Sequence, residues 1–147
     1  MKIEHILVVC VGNICRSPLA EYFLRQALPH CQISSAGLAA VTGADMDAAA
    51  RKAAEAAGVQ VPPHTARQLT LALCQAADLI LVMEGAHREG VSRLHPPARA
   101  KTFLLAHGEP EPDIPDPYRQ SAATHAAVHR QIHAACQAWL TKLTPRG

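Results

Sequence analysis

The sequence predicts an α/β protein in which helices cover both faces of an open parallel sheet, giving a three-layer sandwich. Short apolar runs typical of buried strands alternate along the chain with segments of helical spacing. The run at 78–83 is almost continuously apolar, the pattern expected of a strand buried on both faces of a sheet. The 147 residues, 49% hydrophobic and 18% charged, have the size and composition of one globular domain over 1–147.

The elements follow from helix-stop and turn signals. Pro18 stands at a tolerated first helical position, Gly58 follows an alanine-rich helix, and Thr70 is suited to cap a short helix. Four prolines between Pro110 and Pro117 exclude a central strand and indicate a stiff, extended loop. We predict strands over 3–9, 32–35, 78–83 and 101–105, and helices over 18–28, 45–57, 70–76, 87–94 and 120–143.

Composition narrows the class of function. A net charge of +2 without a basic run argues against nucleic acid as the main partner. Five cysteines, irregularly spaced and without a Cys-x-x-Cys unit, form neither a disulfide framework nor a zinc signature. The N-terminal apolar run, 6–11, is too short for a signal peptide or a membrane span. We therefore expect a cytoplasmic monomer without membrane insertion, metal or cofactor.

Three histidines on the last predicted helix have a spacing that could hold a metal ion. His125, His129 and His133 are spaced four residues apart, which places them near one face of the helix. No carboxylate recurs among them, and His125 points into the apolar stripe that faces the core. Packing is therefore the favoured interpretation.

The segment from Cys10 to Pro18 predicts a phosphate-binding loop. It joins a buried strand to a helix start, where backbone N–H groups converge on a tetrahedral anion. Arg16 adds a planar charged fork that matches two phosphate oxygens. The same positive environment favours the thiolate of Cys10, the nucleophile. The predicted phosphate-binding residues are Val11, Gly12, Asn13, Ile14, Cys15, Arg16 and Ser17.

Three residues shape this loop. Gly12 allows a close approach or an unusual backbone conformation, and Asn13 tolerates left-handed dihedral angles. Ser17 is a candidate N-cap of the helix and a candidate hydrogen-bond donor to the thiolate. The alternative for the whole motif is a buried cysteine at a strand end, with Arg16 in a surface salt bridge.

The stretch 8–18 resembles the signature of the low-molecular-weight protein tyrosine phosphatases. The resemblance extends, in the same order, to SSAG at 34–37, HTARQ at 64–68, DLILVME at 78–84 and IPDPY at 114–118. It implies a flavodoxin-like sheet of four parallel strands in the order 2-1-3-4. Within the family the chain is most similar to bacterial enzymes that act with tyrosine autokinases in exopolysaccharide and capsule export, so the resemblance implies such a kinase as partner.

Asp116 is the candidate general acid. Phosphotyrosine hydrolysis requires a proton for the leaving oxygen, and the flanking prolines hold a short carboxylate in place at low entropic cost. The family's acid lies in the same Asp-Pro-Tyr context. Asp113 is a nearby rival, for which a solvated loop carboxylate is the favoured interpretation. The predicted catalytic residues are therefore Cys10, Arg16 and Asp116.

The predicted substrate cleft has one aromatic wall. Tyr118 either flanks the substrate ring or anchors its own loop. Many family members carry another aromatic in the loop after the Ser-Ala pair, whereas this chain has only aliphatic residues at 38–41. Leu38 and Ala40 are the candidate cleft residues there, and they predict a shallower, more aliphatic pocket.

Two further residues are candidates for supporting roles. Ser35 is expected, from the resemblance, to belong to a polar network behind the nucleophile. Cys15 is expected to form a reversible disulfide with Cys10 under oxidation, the alternative being a small buried side chain. For Arg67, a surface salt bridge is the favoured interpretation.

Two other functions compete with phosphotyrosine hydrolysis. Thioredoxin-coupled arsenate reductases share the Cys-x5-Arg loop, but they need two further cysteines close together, and Cys74 has no neighbouring cysteine within ten residues. A catalytically silent phosphotyrosine-binding module would not need Cys10, Arg16 and Asp116 together. The sequence therefore favours the enzyme.

Overall fold

A computed structural model describes residues 2–144 and contains one four-stranded sheet in the order β2-β1-β3-β4. Every neighbouring pair of strands is parallel. The predicted three-layer fold and the 2-1-3-4 order are confirmed. The strands are β1 (His5–Cys10), β2 (Gln32–Gly37), β3 (Leu79–Val82) and β4 (Thr102–Leu104).

Helices cover the two faces of this sheet. On one face Ile6, Val8 and Cys10 of β1 enter a core shared with α1, α2 and α5. On the other face Leu7 and Val9 enter a core shared with α3 and α4. This alternation is the period of two expected of a strand. The helices are α1 (Arg16–Ala27), α2 (Ala48–Ala56), α3 (Leu71–Ala76), α4 (Gly85–Leu94) and α5 (Ala122–Leu143).

Several element boundaries differ from the predicted ones. Helix α1 begins at Arg16, before Pro18, and its N-cap position is Cys15, which makes no side-chain capping bond. The expected capping role of Ser17 is therefore wrong; its hydroxyl is used in the site described below. Helix α2 begins after Asp47, which caps it by accepting a hydrogen bond from the Ala50 N–H. The 3-10 turn at Pro96–Lys101 was not predicted.

Other local predictions are confirmed. The side chain of Thr70 accepts a hydrogen bond from the Leu73 N–H and caps α3. Gly58 follows α2 with a φ of +81°, a conformation that favours glycine. Within residues 2–144, no helix is both long and apolar enough to cross a membrane.

Helix α5 buries the histidines that the sequence singled out. His125 and His129 are buried, and the rings of His129 and His133 pack against Phe23 with centroid distances of 5.6 Å and 4.8 Å. Farther along, the Trp139 indole N–H donates to the Leu105 carbonyl at 2.7 Å. These contacts favour the packing interpretation of the histidines.

Glycine at position 37 is required because β2 ends against the loop that follows β1. A Cβ atom at Gly37 would lie 2.3 Å from the Val11 carbonyl oxygen, a distance that real Cβ contacts essentially never show. A Cβ at Gly12 would lie 3.5 Å from its nearest neighbour, an ordinary contact.

We therefore predict that Gly37→Ala lowers the free energy of unfolding by about 1–3 kcal/mol, because backbone atoms of the loop must move. The measurement is urea denaturation. Gly12→Ala is the matched control and is expected to cost less. Equal unfolding midpoints for the two variants would contradict this account of Gly37.

Candidate active site

The site lies at the carboxyl edge of the sheet, where β1 passes into α1. Cys10 is the last residue of β1, and the loop after it ends at Arg16, the first residue of α1. A cavity of about 210 Å³ opens above this loop. Its lining residues are Cys10, Val11, Gly12, Ile14, Cys15, Arg16, Ala39, Val41, Asp116 and Tyr118.

Four carbonyl groups of the loop accept backbone N–H groups from neighbouring segments. Those of Cys10, Val11 and Gly12 accept N–H groups from residues 38–41 at 2.9–3.0 Å. The Ile14 carbonyl accepts from the Asp47 N–H at 2.8 Å. Because N–H and C=O point in opposite directions across a trans peptide, the loop N–H groups are directed away from this supporting segment. This is the arrangement of an anion-binding nest.

The left-handed residue of the loop is Asn13, with a φ of +59°. The left-handed conformation that the sequence allowed for Asn13 is therefore present. Gly12 does not have a positive φ. Two bonds hold the conformation of Asn13. The Asn13 carbonyl accepts from His64 Nε2 at 2.7 Å, and the Asn13 side-chain Oδ1 accepts from the Arg67 N–H at 3.0 Å. The strain of a positive φ is thus offset by contacts from one neighbouring segment.

The Asn13 amide organises a polar network behind the nucleophile. Its Nδ2 donates to Ser17 Oγ at 2.7 Å and to Ser35 Oγ at 3.0 Å. Ser35 Oγ in turn donates to Glu21 Oε1 at 2.5 Å. Asn13 and Ser17 are fully buried and do not line the cavity. Of the predicted phosphate-binding set, these two therefore support the loop from behind.

Cys10 Sγ lies within reach of two donors. The Asn13 N–H donates to it at 3.3 Å, and Ser17 Oγ is 2.9 Å away. Because Ser17 Oγ already accepts from Asn13, its own hydrogen is free to point at the sulfur. Both contacts place a hydrogen-bond donor against the sulfur.

Arg16 is 98% buried and paired. Its Nη1 donates to Glu84 Oε2 at 2.6 Å and to the Ile114 carbonyl at 2.8 Å. Its Nη2 lies 3.9 Å from Asp116 Oδ2. The Arg16 Nε–H has no acceptor among the described residues. The surface salt bridge considered as an alternative for Arg16 is wrong.

Glu84 and His87 were not predicted as site residues. Glu84 lies two residues after the end of the buried strand β3, a position at the carboxyl edge of a parallel sheet that could have marked it. His87 Nδ1 accepts from the Glu84 N–H at 3.3 Å, so its hydrogen is on Nε2, 3.2 Å from Glu84 Oε2. Burial, and then the charge of Arg16, lower the pKa of His87. His87 is therefore neutral near pH 7.

Asp116 and Tyr118 form the wall opposite the loop. Asp116 Oδ1 accepts from the Tyr118 N–H at 3.0 Å, while its other oxygen faces Arg16. The Tyr118 ring is 40% exposed and carries the Arg119 guanidinium 5.2 Å from its centroid. Tyr118 lines the cavity, as expected of a cleft wall.

The aliphatic side of the cleft is shifted by one residue from the prediction. Leu38 and Ala40 do not line the cavity, whereas Ala39 and Val41 do. Leu38 packs into the second core, near Gly90. Residues 38 and 39 form a turn directly after β2, so the sequence pattern does not fix which side chains of this segment face the cavity.

Two other predicted contacts are corrected. Arg67 Nε donates to the Ser35 carbonyl at 2.8 Å and forms no salt bridge with any residue of 2–144. Asp113 is not merely solvated, because its Oδ1 accepts from the Gly85 N–H at 2.9 Å. Among residues 2–144, no three histidine, cysteine, aspartate or glutamate side chains are grouped to hold a metal.

The fold and this site together define an α/β protein with a buried thiol and a buried guanidinium lining one cavity at the carboxyl edge of its sheet. A family model described as low molecular weight phosphotyrosine protein phosphatase matches residues 5–146. The chain belongs to this family and is a protein-tyrosine-phosphatase.

Individual relatives agree with this assignment. The chain is 44% identical over 142 residues to the probable low molecular weight protein-tyrosine-phosphatase AmsI of Erwinia amylovora, which covers 97% of this chain and 99% of that protein. Identity to Wzb of Escherichia coli (strain K12) is 42% over 140 residues, or 95% of each chain. The solved structure of Vibrio vulnificus Wzb in complex with benzylphosphonate matches with a TM-score of 0.91 and 46% identity, covering 96% of this chain and 99% of that one.

The lowered pKa of His87 predicts a pH dependence of stability. The unfolded chain binds a proton at His87 near the usual value of 6.5, whereas the native state resists it. As the pH falls from 7.5 to 5.5, the unfolded state takes up more protons and the free energy of unfolding decreases.

We expect His87→Gln to flatten this decrease, measured by urea denaturation at the two pH values. The exposed His30 supplies the control, and His30→Gln should keep the wild-type pH dependence. An undiminished pH dependence in His87→Gln would contradict a neutral, buried His87.

Proposed function

We propose that this chain hydrolyses phosphotyrosine in proteins through a cysteinyl-phosphate intermediate on Cys10. One observation carries the proposal. A buried sulfur with two hydrogen-bond donors, a buried guanidinium and a carboxylate line the same small cavity. Nucleophile, phosphate ligand and proton donor are therefore supplied by three separate segments at one place.

In the first step the Cys10 thiolate attacks phosphorus and an S–P bond forms. The P–O bond to the tyrosine oxygen breaks, and the protonated carboxyl of Asp116 gives its proton to that oxygen. Arg16 and the loop N–H groups bind the three equatorial oxygens as charge spreads over them. No metal is needed, because these donors supply the positive field.

In the second step Asp116, now a carboxylate, removes a proton from water. The water oxygen attacks phosphorus, the S–P bond breaks, and the thiolate returns with release of inorganic phosphate. Ser17 and the Asn13 N–H stabilise this leaving thiolate. The Tyr118 ring and the aliphatic Val41 flank the substrate ring.

The cysteines favour hydrolysis over arsenate reduction. Reduction would have to pass oxidation from Cys10 to a second pair of thiols. Cys74 and Cys136 are fully buried, in different cores, and Cys31 is half-buried at the start of β2. None of these is suited to exchange with a thiol at the carboxyl edge of the sheet.

For the cellular role we propose a tyrosine autokinase of exopolysaccharide or capsule production as the substrate. The support is the likeness to AmsI and Wzb together with the sequence resemblance given above. All five cysteines are free thiols, which suits a reducing compartment such as the cytoplasm. The enzyme is proposed to act there as a monomer of one domain.

The central prediction concerns turnover of p-nitrophenyl phosphate in the presence of a metal chelator. Cys10→Ser is expected to abolish it, because the hydroxyl is a far weaker nucleophile. Asp116→Asn should lower kcat by about 10²–10⁴-fold, the usual range for a general acid–base residue. Cys31→Ser is the control and keeps full activity, and vanadate inhibits the wild type.

Full activity in Cys10→Ser would overturn the mechanism. An arsenate reduction assay coupled to thioredoxin, run on the same preparation, tests the rival function. Arsenate turnover without phosphatase activity would replace the proposal by that rival.

We also propose that Cys10 and Cys15 form a reversible disulfide under oxidation. Burial, and then the charge of Asp47, raise the pKa of Cys15 to about 12, so peroxide reacts first with Cys10. Peroxide converts the Cys10 thiolate to a sulfenic acid, and the Cys15 thiol then condenses with it, releasing water.

Peptide mapping after mild peroxide treatment is expected to show a Cys10–Cys15 peptide, and dithiothreitol should restore activity. In Cys15→Ser the same treatment should inactivate irreversibly. Sulfinic Cys10 without any Cys10–Cys15 peptide in the wild type would refute this disulfide.

A further inference from the structure

The loop that carries Asp116 has little secondary structure of its own to hold it. Between β4 and α5 the chain forms no helix or strand. Four of its residues are prolines, which stiffen the loop but donate no backbone hydrogen bond. The position of Asp116 therefore depends on a few contacts between this loop and the body of the protein.

The Ile114 carbonyl accepts from Arg16 Nη1 at 2.8 Å, and the contacts made by Asp113 and Ile114 reach the turn from β3 to α4. The Ile114 N–H donates to the Met83 carbonyl at 2.9 Å, and the Ile114 side chain is fully buried. Asp113 Oδ1 accepts from the Gly85 N–H at 2.9 Å. Both contacts go to the corner where β3 turns into α4, so the loop is joined there by one backbone and one side-chain bond.

The hydrogen bond that Asp113 accepts is favoured because its donor, Gly85, lies at the start of α4. Gly85 is the first residue of that helix, and its N–H is one of the amides that a helix leaves without an internal partner. A carboxylate at this end is also attracted by the helix dipole. The Asp113 carboxylate is thus held by an N–H group that needs an acceptor.

The geometry points to Asp113 as a positioning residue for the general acid. Its side chain fixes the loop three residues before Asp116, and Pro115 between them limits the rotation that would loosen the connection. The same corner holds Arg16 through Glu84, so Asp113 also keeps Asp116 in register with the phosphate-binding guanidinium. Asp113 is not among the residues that line the cavity.

This role rests on the proposed function and has a kinetic signature. Protonation by Asp116 matters most when the leaving group is a strong base. Phenolate is a stronger base than p-nitrophenolate. A misplaced acid therefore lowers the rate of hydrolysis of phenyl phosphate more than that of p-nitrophenyl phosphate. A general loss of folded or active protein would slow both substrates by the same factor.

The experiment measures kcat/KM for both substrates in Asp113→Ala and Asp113→Asn. We expect Asp113→Ala to lose about tenfold with phenyl phosphate and clearly less with p-nitrophenyl phosphate. Asp113→Asn retains an oxygen that can accept from Gly85 and is expected to recover part of the loss. Vanadate inhibition should be unchanged in both, because the phosphate loop is intact.

Glu111→Gln is the matched control, an exposed carboxylate of the same loop, and should leave both rates and their ratio at wild-type values. Asp116→Asn sets the upper limit for the change in ratio. Equal slowing of both substrates in Asp113→Ala, or no slowing at all, would overturn the positioning role. If Asp116→Asn itself leaves the ratio unchanged, the acid role in the proposed function fails instead.

Discussion

The burial of Arg16 is the constraint on which the site depends. A guanidinium stays charged at any physiological pH, and burying it is costly unless its donors are paired. Here Glu84 supplies the counter-charge and the Ile114 carbonyl a second acceptor. The result is a positive group held in place next to the cavity, with little freedom to lose when an anion binds. The pairing of Arg16 would preorganise the guanidinium for the anion binding that we propose.

One consequence is that the loop before α1 and the loop before α5 both contact the turn from β3 to α4. Glu84 holds the arginine of the phosphate loop, while Met83 and Gly85 hold the loop of the general acid. Parallel strands make this possible, because their carboxyl ends lie along one edge of the sheet. Arg16 and the loop that carries Asp116 are thus positioned by the same corner, although they are far apart in sequence.

The sequence predicts much of the fold and the chemical centre, because both depend on local patterns. Apolar runs mark the strands, and the Cys10–Arg16 spacing marks the loop. The supporting contacts were harder to foresee, because Glu21, His64 and Glu84 are ordinary surface residue types that act across long sequence separations. The capping role of Ser17 was wrong because α1 begins one residue earlier, at Arg16, whereas its hydroxyl does lie 2.9 Å from Cys10 Sγ. The assignment of Leu38 and Ala40 to the cleft was wrong because these residues lie in and after a turn, where no regular period tells which side chains face the cavity.

The most direct test of the central claim is to trap the intermediate. Asp116→Asn protein is mixed with a phosphotyrosine peptide, quenched with acid, and digested for mass spectrometry. Loss of the base slows the second step, so the phosphoryl group should accumulate on Cys10 and be absent from a Cys10→Ser variant. Turnover without a phosphorylated cysteine, or a phosphoryl group on another residue, would contradict the account.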